Sequence, residues 1–192
     1  MRLLISLLLC SLSGSSAFAQ SMDRKTHHLE VERVLMHDAA DVWAVLAVDY
    51  GRVARSHPRI IASEYVEGTL KGELGAERFC YFNDKHSKAL REQIVAYDEE
   101  KYSFDNRILE APGFPIDTDN TLATWTVTPL GKGKSKVSVV MDFRTRPAMM
   151  GAMAKGGFRN LLEDYMLSLD HHISTGESVT RENFKEIAKL YK

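Results

Sequence analysis

The stretch from residue 147 to 174 constrains this chain more than any other, because it reads as one helix with two unlike halves. From Phe158 onward it is amphipathic. Phe158, Leu161, Leu162, Tyr165, Met166, Leu169 and Ile173 recur at helical spacing, and Arg159, Asn160, Glu163, Asp164 and Asp170 take the other side. The first half, Ala148-Met149-Met150-Gly151-Ala152-Met153-Ala154, is uncharged, small-sided and rich in methionine. Gly156-Gly157 stands between the halves at a cost of about 1 kcal/mol per glycine relative to alanine inside a helix. It reads as a hinge or a close-packing point. At ~1.5 Å per residue such a helix reaches about 40 Å, enough to cross a whole small domain. The second half is built to anchor, and the first to lie over something adaptable.

The opening residues read as a secretory signal peptide rather than as part of the fold. Arg2 gives a positive start, residues 3–12 an apolar run too short to span a membrane, and Ala17-Phe18-Ala19 a small-x-small cleavage signal before Gln20. A lipoprotein would need Cys10 as acceptor. That residue sits too early, behind a bulky Leu9. About 170 residues then remain, enough for one domain with a sizeable core. Of the two cysteines only Cys80 survives processing, so no disulfide within the chain is expected. The net charge of −1, with acids and bases interspersed, offers no basic face for nucleic acid. No later run is long enough for an integral membrane span. The expected address is therefore periplasmic or secreted.

Residues 28–37 begin as a strand, with Leu29, Val31 and Arg33 on one face. Asp38 then caps a helix whose buried stripe is Ala39, Ala40, Val42, Trp43, Val45, Leu46 and Val48. Tyr50-Gly51 interrupts it. A second short helix ends at His57-Pro58, since the residue before proline is pushed out of the helical region. The period then changes from helical to alternating. Residues 60–66, 77–82, 89–97, 102–109, 122–128 and 136–144 read as strands. Turn residues separate them: Glu67-Gly68, Asn83-Asp84, Asp98-Glu99-Glu100, Pro112-Gly113 and Gly131-Lys132-Gly133. Short links favour antiparallel neighbours. The chain is thus an α+β domain, a curved, meandering, seven-stranded antiparallel sheet with two short helices after its first strand and one long helix across its concave face. Residues 176–192 add a small polar tail helix carrying Phe184, Ile187 and Leu190.

This order, with its local motifs, resembles the START-like or SRPBCC superfamily, which includes polyketide cyclase/dehydratase-like proteins, the birch-pollen allergen fold and the plant abscisic-acid receptors. The resemblance is carried by Ala39-Ala40-Asp41-Val42-Trp43 with Asp49-Tyr50, by Gly75-Ala76-Glu77-Arg78, by Leu90-Arg91-Glu92 and Tyr97-Asp98, by Tyr102-Ser103-Phe104, by the segment from Ala123 to Pro129 and by the closing helix. It spans residues 28–175. It implies a helix-grip fold, in which the sheet wraps the C-terminal helix and leaves a cavity between them. It also implies binding of lipids, sterols, hormones or polyketides, with cyclisation or dehydration in a minority of members. Fold alone does not choose among these.

Alternation indicates which side chains face that cavity. These are Arg78, Cys80 and Phe82; Leu90, Glu92, Ile94 and Ala96; Tyr102, Phe104, Asn106 and Ile108; Ala123, Trp125 and Val127; and Val137, Val139, Met141 and Phe143. Three are polar: Arg78, Glu92 and Asn106. If residues 83–87 close a hairpin, Arg78 falls opposite Glu92 or one diagonal away. That pair is a structural ion pair, a polar anchor for a ligand's carboxylate, hydroxyl or carbonyl, or, for Glu92, a buried acid–base group. Met149, Met150 and Met153 are either core filler or an adaptable cavity wall. The cavity candidates are therefore Arg78, Phe82, Glu92, Phe104, Asn106, Trp125, Met141, Phe143, Met149, Met150 and Met153. Pro112-Gly113-Phe114-Pro115 reads as a stiff loop over the cavity mouth.

Other chemistry finds little support. The seven histidines include two adjacent pairs, His27-His28 and His171-His172, which cannot converge on one ion, so no metal is expected and no cofactor. Cys80 reads as a buried small hydrophobe, and no Gly-x-Ser-x-Gly elbow is present. Gly131-Lys132-Gly133-Lys134 joins two strands and is a solvated hairpin, not a phosphate loop. Three functions stay open. The first is an exported, non-enzymatic binder of a small hydrophobic molecule or lipid. The second is a cyclase/dehydratase-like enzyme using Arg78 or Glu92. The third is an accessory protein that meets a protein partner through the tail helix or an edge strand.

Overall fold

The computed structural model describes residues 25–191, so the segment read as a signal peptide lies outside it. Seven strands form one antiparallel sheet: β1 (His27–Leu35), β2 (Ala62–Tyr65), β3 (Glu77–Tyr81), β4 (Ala89–Asp98), β5 (Ser103–Glu110), β6 (Leu122–Gly131) and β7 (Lys134–Phe143). Their order is β1-β7-β6-β5-β4-β3-β2. The first two strands in sequence thus lie at opposite edges, and β2 to β7 meander between them. The chain crosses from one edge to the other through a helical segment. It opens as α1 (Ala39–Trp43), widens into a π-helical turn (Ala44–Val48) and tightens into a 3₁₀ stretch (Tyr50–Arg55).

The long helix α2 (Gly151–Thr175) follows a 3₁₀ turn at Ala148–Met150 and ends on Gly176, whose left-handed backbone lets its N–H reach the His172 carbonyl at 2.8 Å. Its second half does anchor the sheet. Tyr165, Met166 and Leu169 are buried in one core with Leu29, Val31, Val137, Val139 and Phe143 from the sheet and Val42, Trp43 and Leu46 from the first helical segment. This is the helix-grip arrangement that the sequence implied.

Local geometry moves several residues off their expected faces. The π-helical turn widens the spacing after Trp43, so Val48 points outward and is exposed. Ala40 is exposed as well. Asp38 occupies the N-cap position, yet its carboxylate accepts the Gly133 N–H at 2.7 Å and ties the first helix to the β6–β7 hairpin. On β4 a bulge between Ile94 and Ala96 reverses the alternation, leaving Ala96 exposed and turning Tyr97 toward Trp43.

Gly156 and Gly157 lie inside regular helix and are exposed, and a Cβ at either would meet nothing. They are therefore not a close-packing point. The glycine that permits close approach in this helix is Gly151, where the His27 ring occupies the space of a side chain. Beyond Gly176 the tail forms only a four-residue helix, α3 (Phe184–Ile187), and a 3₁₀ turn (Ala188–Tyr191). It folds back on the domain. Val179 and Ile187 are buried, the Val179 N–H donates to the Arg55 carbonyl, and Arg181 donates to the Phe82 carbonyl.

The two halves of α2 should respond differently to truncation. Leu169→Ala removes a fully buried side chain and is expected to lower unfolding free energy by about 2–5 kcal/mol in urea titrations. Met153→Ala, at a position 84% exposed, should stay within about 0.5 kcal/mol of the parent.

Candidate functional site

Four segments converge on one buried polar network. The antiparallel register sets Arg78 of β3 directly opposite Glu92 of β4, and the Arg78 Nε donates to Glu92 Oε2 at 2.8 Å. The Cys80 thiol donates to the same oxygen at 3.4 Å, and Asn106 Nδ2 of β5 donates to Glu92 Oε1 at 2.9 Å. Tyr50 closes the set. Its hydroxyl donates to Asn106 Oδ1, its carbonyl accepts from Arg78 Nη1 at 2.8 Å, and its ring lies 3.9 Å under the guanidinium. The neighbouring Gly51 is required here, because the Tyr65 ring packs where its side chain would be. Burial pulls the Arg78 pKa down, but the facing Glu92 carboxylate together with Cys80, Tyr50 and Tyr165 offsets this and holds it above its ordinary value. Burial raises the pKa values of the Tyr50 hydroxyl and the Cys80 thiol, so both are protonated at neutral pH.

Next to this network, between α2 and the sheet, is a cavity of about 110 Å³. Its walls are Val53, His57 and Ile60 before β2, Phe82 after β3, Leu90 of β4, Ile108 of β5, Ala123 and Trp125 of β6, Met141 of β7, and Phe158, Leu161, Leu162 and Tyr165 of α2. Ile116 and Thr121 close one end, and Arg78, Glu92 and Asn106 form the polar patch. His57 stacks on Tyr165 at 4.8 Å, and Tyr165 meets Trp125 edge-on at 5.6 Å. Burial, with the nearby Arg78 charge adding to it, lowers the His57 pKa to about 3. The imidazole is therefore neutral. Its Nδ1 accepts the Arg59 backbone N–H at 3.1 Å, which places the ring proton on Nε2. Burial likewise pushes the Tyr165 hydroxyl up to about 12.

An outer cleft of about 430 Å³ lies between α2 and the loop after β5, lined by Arg59, Phe114, Pro115, Ala154, Gly157, Phe158, Asn160 and Leu161. Phe158 and Leu161 belong to both spaces and separate them. The Phe114 ring packs edge-on against Phe82 at 4.9 Å, so the Pro112-to-Pro115 loop stands beside the cavity. Its far end is pinned where Asp117 meets Arg146 at 2.7 Å and Arg144 at 3.5 Å.

Of the sequence candidates, Arg78, Phe82, Glu92, Asn106, Trp125 and Met141 line the cavity together. Phe104 and Phe143 do not. Phe104 is sealed among Trp43, Tyr50 and Trp125, and Phe143 between His27 and Phe158, so both support the wall from behind. The methionines require a correction. Met149 and Met153 are 83% and 84% exposed and Met150 is also exposed, so none of the three lines the cavity. Adaptability is a property of the side chain and says nothing about which way the helix turns it.

Sequence reasoning missed Tyr50, His57 and Tyr165 as site residues. Tyr165 was visible only as a member of the amphipathic stripe. Tyr50 and His57 flank an irregular segment, where no period assigns a face. Elsewhere, Ser174, His37 and Asp170 meet on the surface in a cluster that resembles a catalytic triad in composition only. Both Ser174 Oγ and Asp170 Oδ1 lie 3.0 Å from the same nitrogen, His37 Nε2, so the ring cannot relay a proton between them. Among the described residues, no group of three or more His, Cys, Asp or Glu is placed to hold a metal, and no helix is long and apolar enough to cross a membrane.

The family model described as "Polyketide cyclase / dehydrase and lipid transport" matches residues 26–169. Among solved structures, Ara h 8.0201 superposes with a TM-score of 0.64 at 19% identity, over 79% of this chain and 99% of that one. The di-domain ARO/CYC BexL, from the BE-7585A biosynthetic pathway, gives 0.62 at 14% identity, over 77% of this chain and 46% of that one. Norcoclaurine synthase from Thalictrum flavum, solved with dopamine and hydroxybenzaldehyde, gives 0.56 at 16% identity, over 80% and 90%. At these identities the likeness is one of fold. No curated protein matches the chain.

The neutral His57 has a measurable consequence. Its folded-state pKa of about 3 lies below the unfolded value near 6.5. Between these limits the unfolded chain binds the extra proton, and stability falls as pH falls. From pH 7 to pH 4 the parent is expected to lose about 3 kcal/mol more than His57→Gln, read from urea midpoints across the range. Equal losses would show that His57 is protonated in the folded protein.

Proposed function

The chain belongs to the polyketide cyclase/dehydrase and lipid transport family, of SRPBCC type, and on that premise we propose that it is a non-enzymatic binding protein for a small hydrophobic ligand held between α2 and the sheet. The observation that carries this reading is the commitment of Glu92. Both of its oxygens are occupied, one by Arg78 and Cys80 and the other by Asn106. An acid–base catalyst needs a proton or lone pair free to move to and from substrate, and this carboxylate is already held by three donors, Arg78, Cys80 and Asn106, that fix it in place. What remains is an apolar cavity with a few fixed polar groups, the usual make-up of a binding site. Norcoclaurine synthase offers a precedent on this fold for holding small aromatic molecules, since its structure contains dopamine and hydroxybenzaldehyde. The packed tail favours a single folded body over an accessory arm, because Val179 and Ile187 are part of the core and not a free surface.

Size sets the ligand class. A dry apolar cavity of ~150 Å³ accepts benzene, so the inner space of about 110 Å³ suits one small ring or a short chain. A lipid would have to run on into the outer cleft past Phe158 and Leu161. The simplest test uses ethylbenzene as probe, followed by NMR shift changes. Ala123→Leu places three more carbons into the cavity and is expected to weaken binding about tenfold or more, with little change in the urea midpoint. Undiminished binding in that variant would put the site elsewhere.

We propose further that the protein acts outside the cytoplasm, after removal of a signal peptide near Ala19–Gln20. The support is the composition of residues 1–19: a basic start, a short apolar run and a small-x-small end. Expressed with its full N-terminus in a Gram-negative host, the protein should be recovered from the periplasm with Gln20 as its first residue by mass spectrometry. Cytoplasmic protein that retains residues 2–19 would refute export.

A further inference from the structure

We propose that the inner cavity is built for an uncharged ring carrying a hydrogen-bond acceptor, such as a ketone or aldehyde oxygen, received by Arg78 Nη2 and the Nε2–H of His57. The inference rests on the binding reading above and names the ligand class of that same site.

Each of these acceptors in the wall already holds at least one donor. The Glu92 oxygens hold Arg78, Cys80 and Asn106. Asn106 Oδ1 holds the Tyr50 hydroxyl. The Thr121 hydroxyl donates to the Asp117 carbonyl at 2.8 Å and faces the Arg144 N–H at 3.4 Å. His57 Nδ1 holds the Arg59 N–H. The donors are not used up. Arg78 places Nε on Glu92 and Nη1 on the Tyr50 carbonyl, and its Nη2 has no partner among the described residues although the residue lines the cavity. The same holds for His57 Nε2, which carries the ring proton. Only the Tyr165 hydroxyl can serve in either direction. Two buried residues therefore each present an unsatisfied N–H, and the group that satisfies both is an acceptor.

Charge decides which acceptor. Arg78 and Glu92 cancel, and His57 is neutral, so the site as built sums to zero. A carboxylate entering it would bring an uncompensated charge into a mostly apolar space and lose much of its hydration. A carbonyl oxygen accepts the same hydrogen bonds without that cost. The remaining walls fit the ring. Trp125 and Tyr165 offer aromatic faces and edges, and Ile108 and Leu162 fill the sides.

Three probes of nearly equal size separate the terms: acetophenone (ring and neutral acceptor), ethylbenzene (ring alone) and benzoate (ring and charge). Each is titrated by NMR at pH 7 into the parent, His57→Phe and His57→Gln. Acetophenone is expected to bind the parent about tenfold or more tightly than either of the others. His57→Phe should abolish its advantage over ethylbenzene measured in the same variant, and His57→Gln, which keeps a donor, should retain most of it. The parent series stands alone if a variant fails to fold. Acetophenone binding no better than ethylbenzene would overturn the proposal, as would benzoate binding tightest or an undiminished preference in His57→Phe. In each of those cases the cavity still binds, and the binding reading survives. If no probe binds the parent, ethylbenzene included, that reading fails and the present inference goes with it.

Discussion

The ion pair between Arg78 and Glu92 is the constraint around which the interior is arranged. Moving two charges out of water costs several kcal/mol per ion, and attraction repays that only where the remaining donors and acceptors are also met. Here the surroundings supply them. Asn106 on the next strand reaches the second Glu92 oxygen, Cys80 two residues along β3 reaches the first, and the Tyr50 carbonyl takes a guanidinium proton while its ring covers the charge. Each partner imposes a condition on the fold. Arg78 and Glu92 are in register only with the β3–β4 hairpin as it stands. A one-residue slip would turn every one of these side chains to the opposite face. Tyr50 can offer a carbonyl sideways only because the first helical segment stops being regular there, and Gly51 lets Tyr65 close over the break. The irregular segment is thus a requirement of the buried charge.

That dependence also explains which parts of the structure were legible in the sequence. Strand alternation is a local property, so the inward face of each strand, and Arg78, Glu92 and Asn106 as its polar exceptions, followed from period alone. The same logic failed where the backbone departs from period two or 3.6. Val48 was misplaced by a π-helical turn and Ala96 by a bulge, and neither leaves a compositional mark. Tyr50 closes the buried network and His57 lines the cavity, yet they border a stretch with no period to read. Their roles come from long-range partners: Arg78 and Asn106 for Tyr50, and Tyr165, more than a hundred residues away, for His57. The methionines mark the opposite limit. Their composition correctly describes a pliant surface, but the side of the helix on which it lies is decided by tertiary packing.

The buried network and the cavity also bear on each other through stiffness. Side chains joined by several hydrogen bonds in a low-dielectric interior hold their geometry, so the sheet side of the cavity is the stiffer wall. The helix side differs. Phe158, Leu161 and Leu162 are only partly buried, and Phe158 and Leu161 are shared with the outer cleft. Just before them come Gly156 and Gly157, both exposed, where an added side chain would meet nothing. Anchoring starts at Tyr165 and continues through Leu169. If the proposed ligand binds, the less deeply buried residues of α2 are the side of the cavity with more room to adjust. This turns the size of the cavity into a selectivity rule. A ligand of one ring leaves the Phe158–Leu161 partition in place and uses the stiffer wall for orientation. A longer one must displace the partition and give up the aromatic closure of Phe143 on Phe158. Of the two readings of the double glycine, close packing is excluded because a side chain there would meet nothing, and a hinge remains consistent with its exposed place just before that partition.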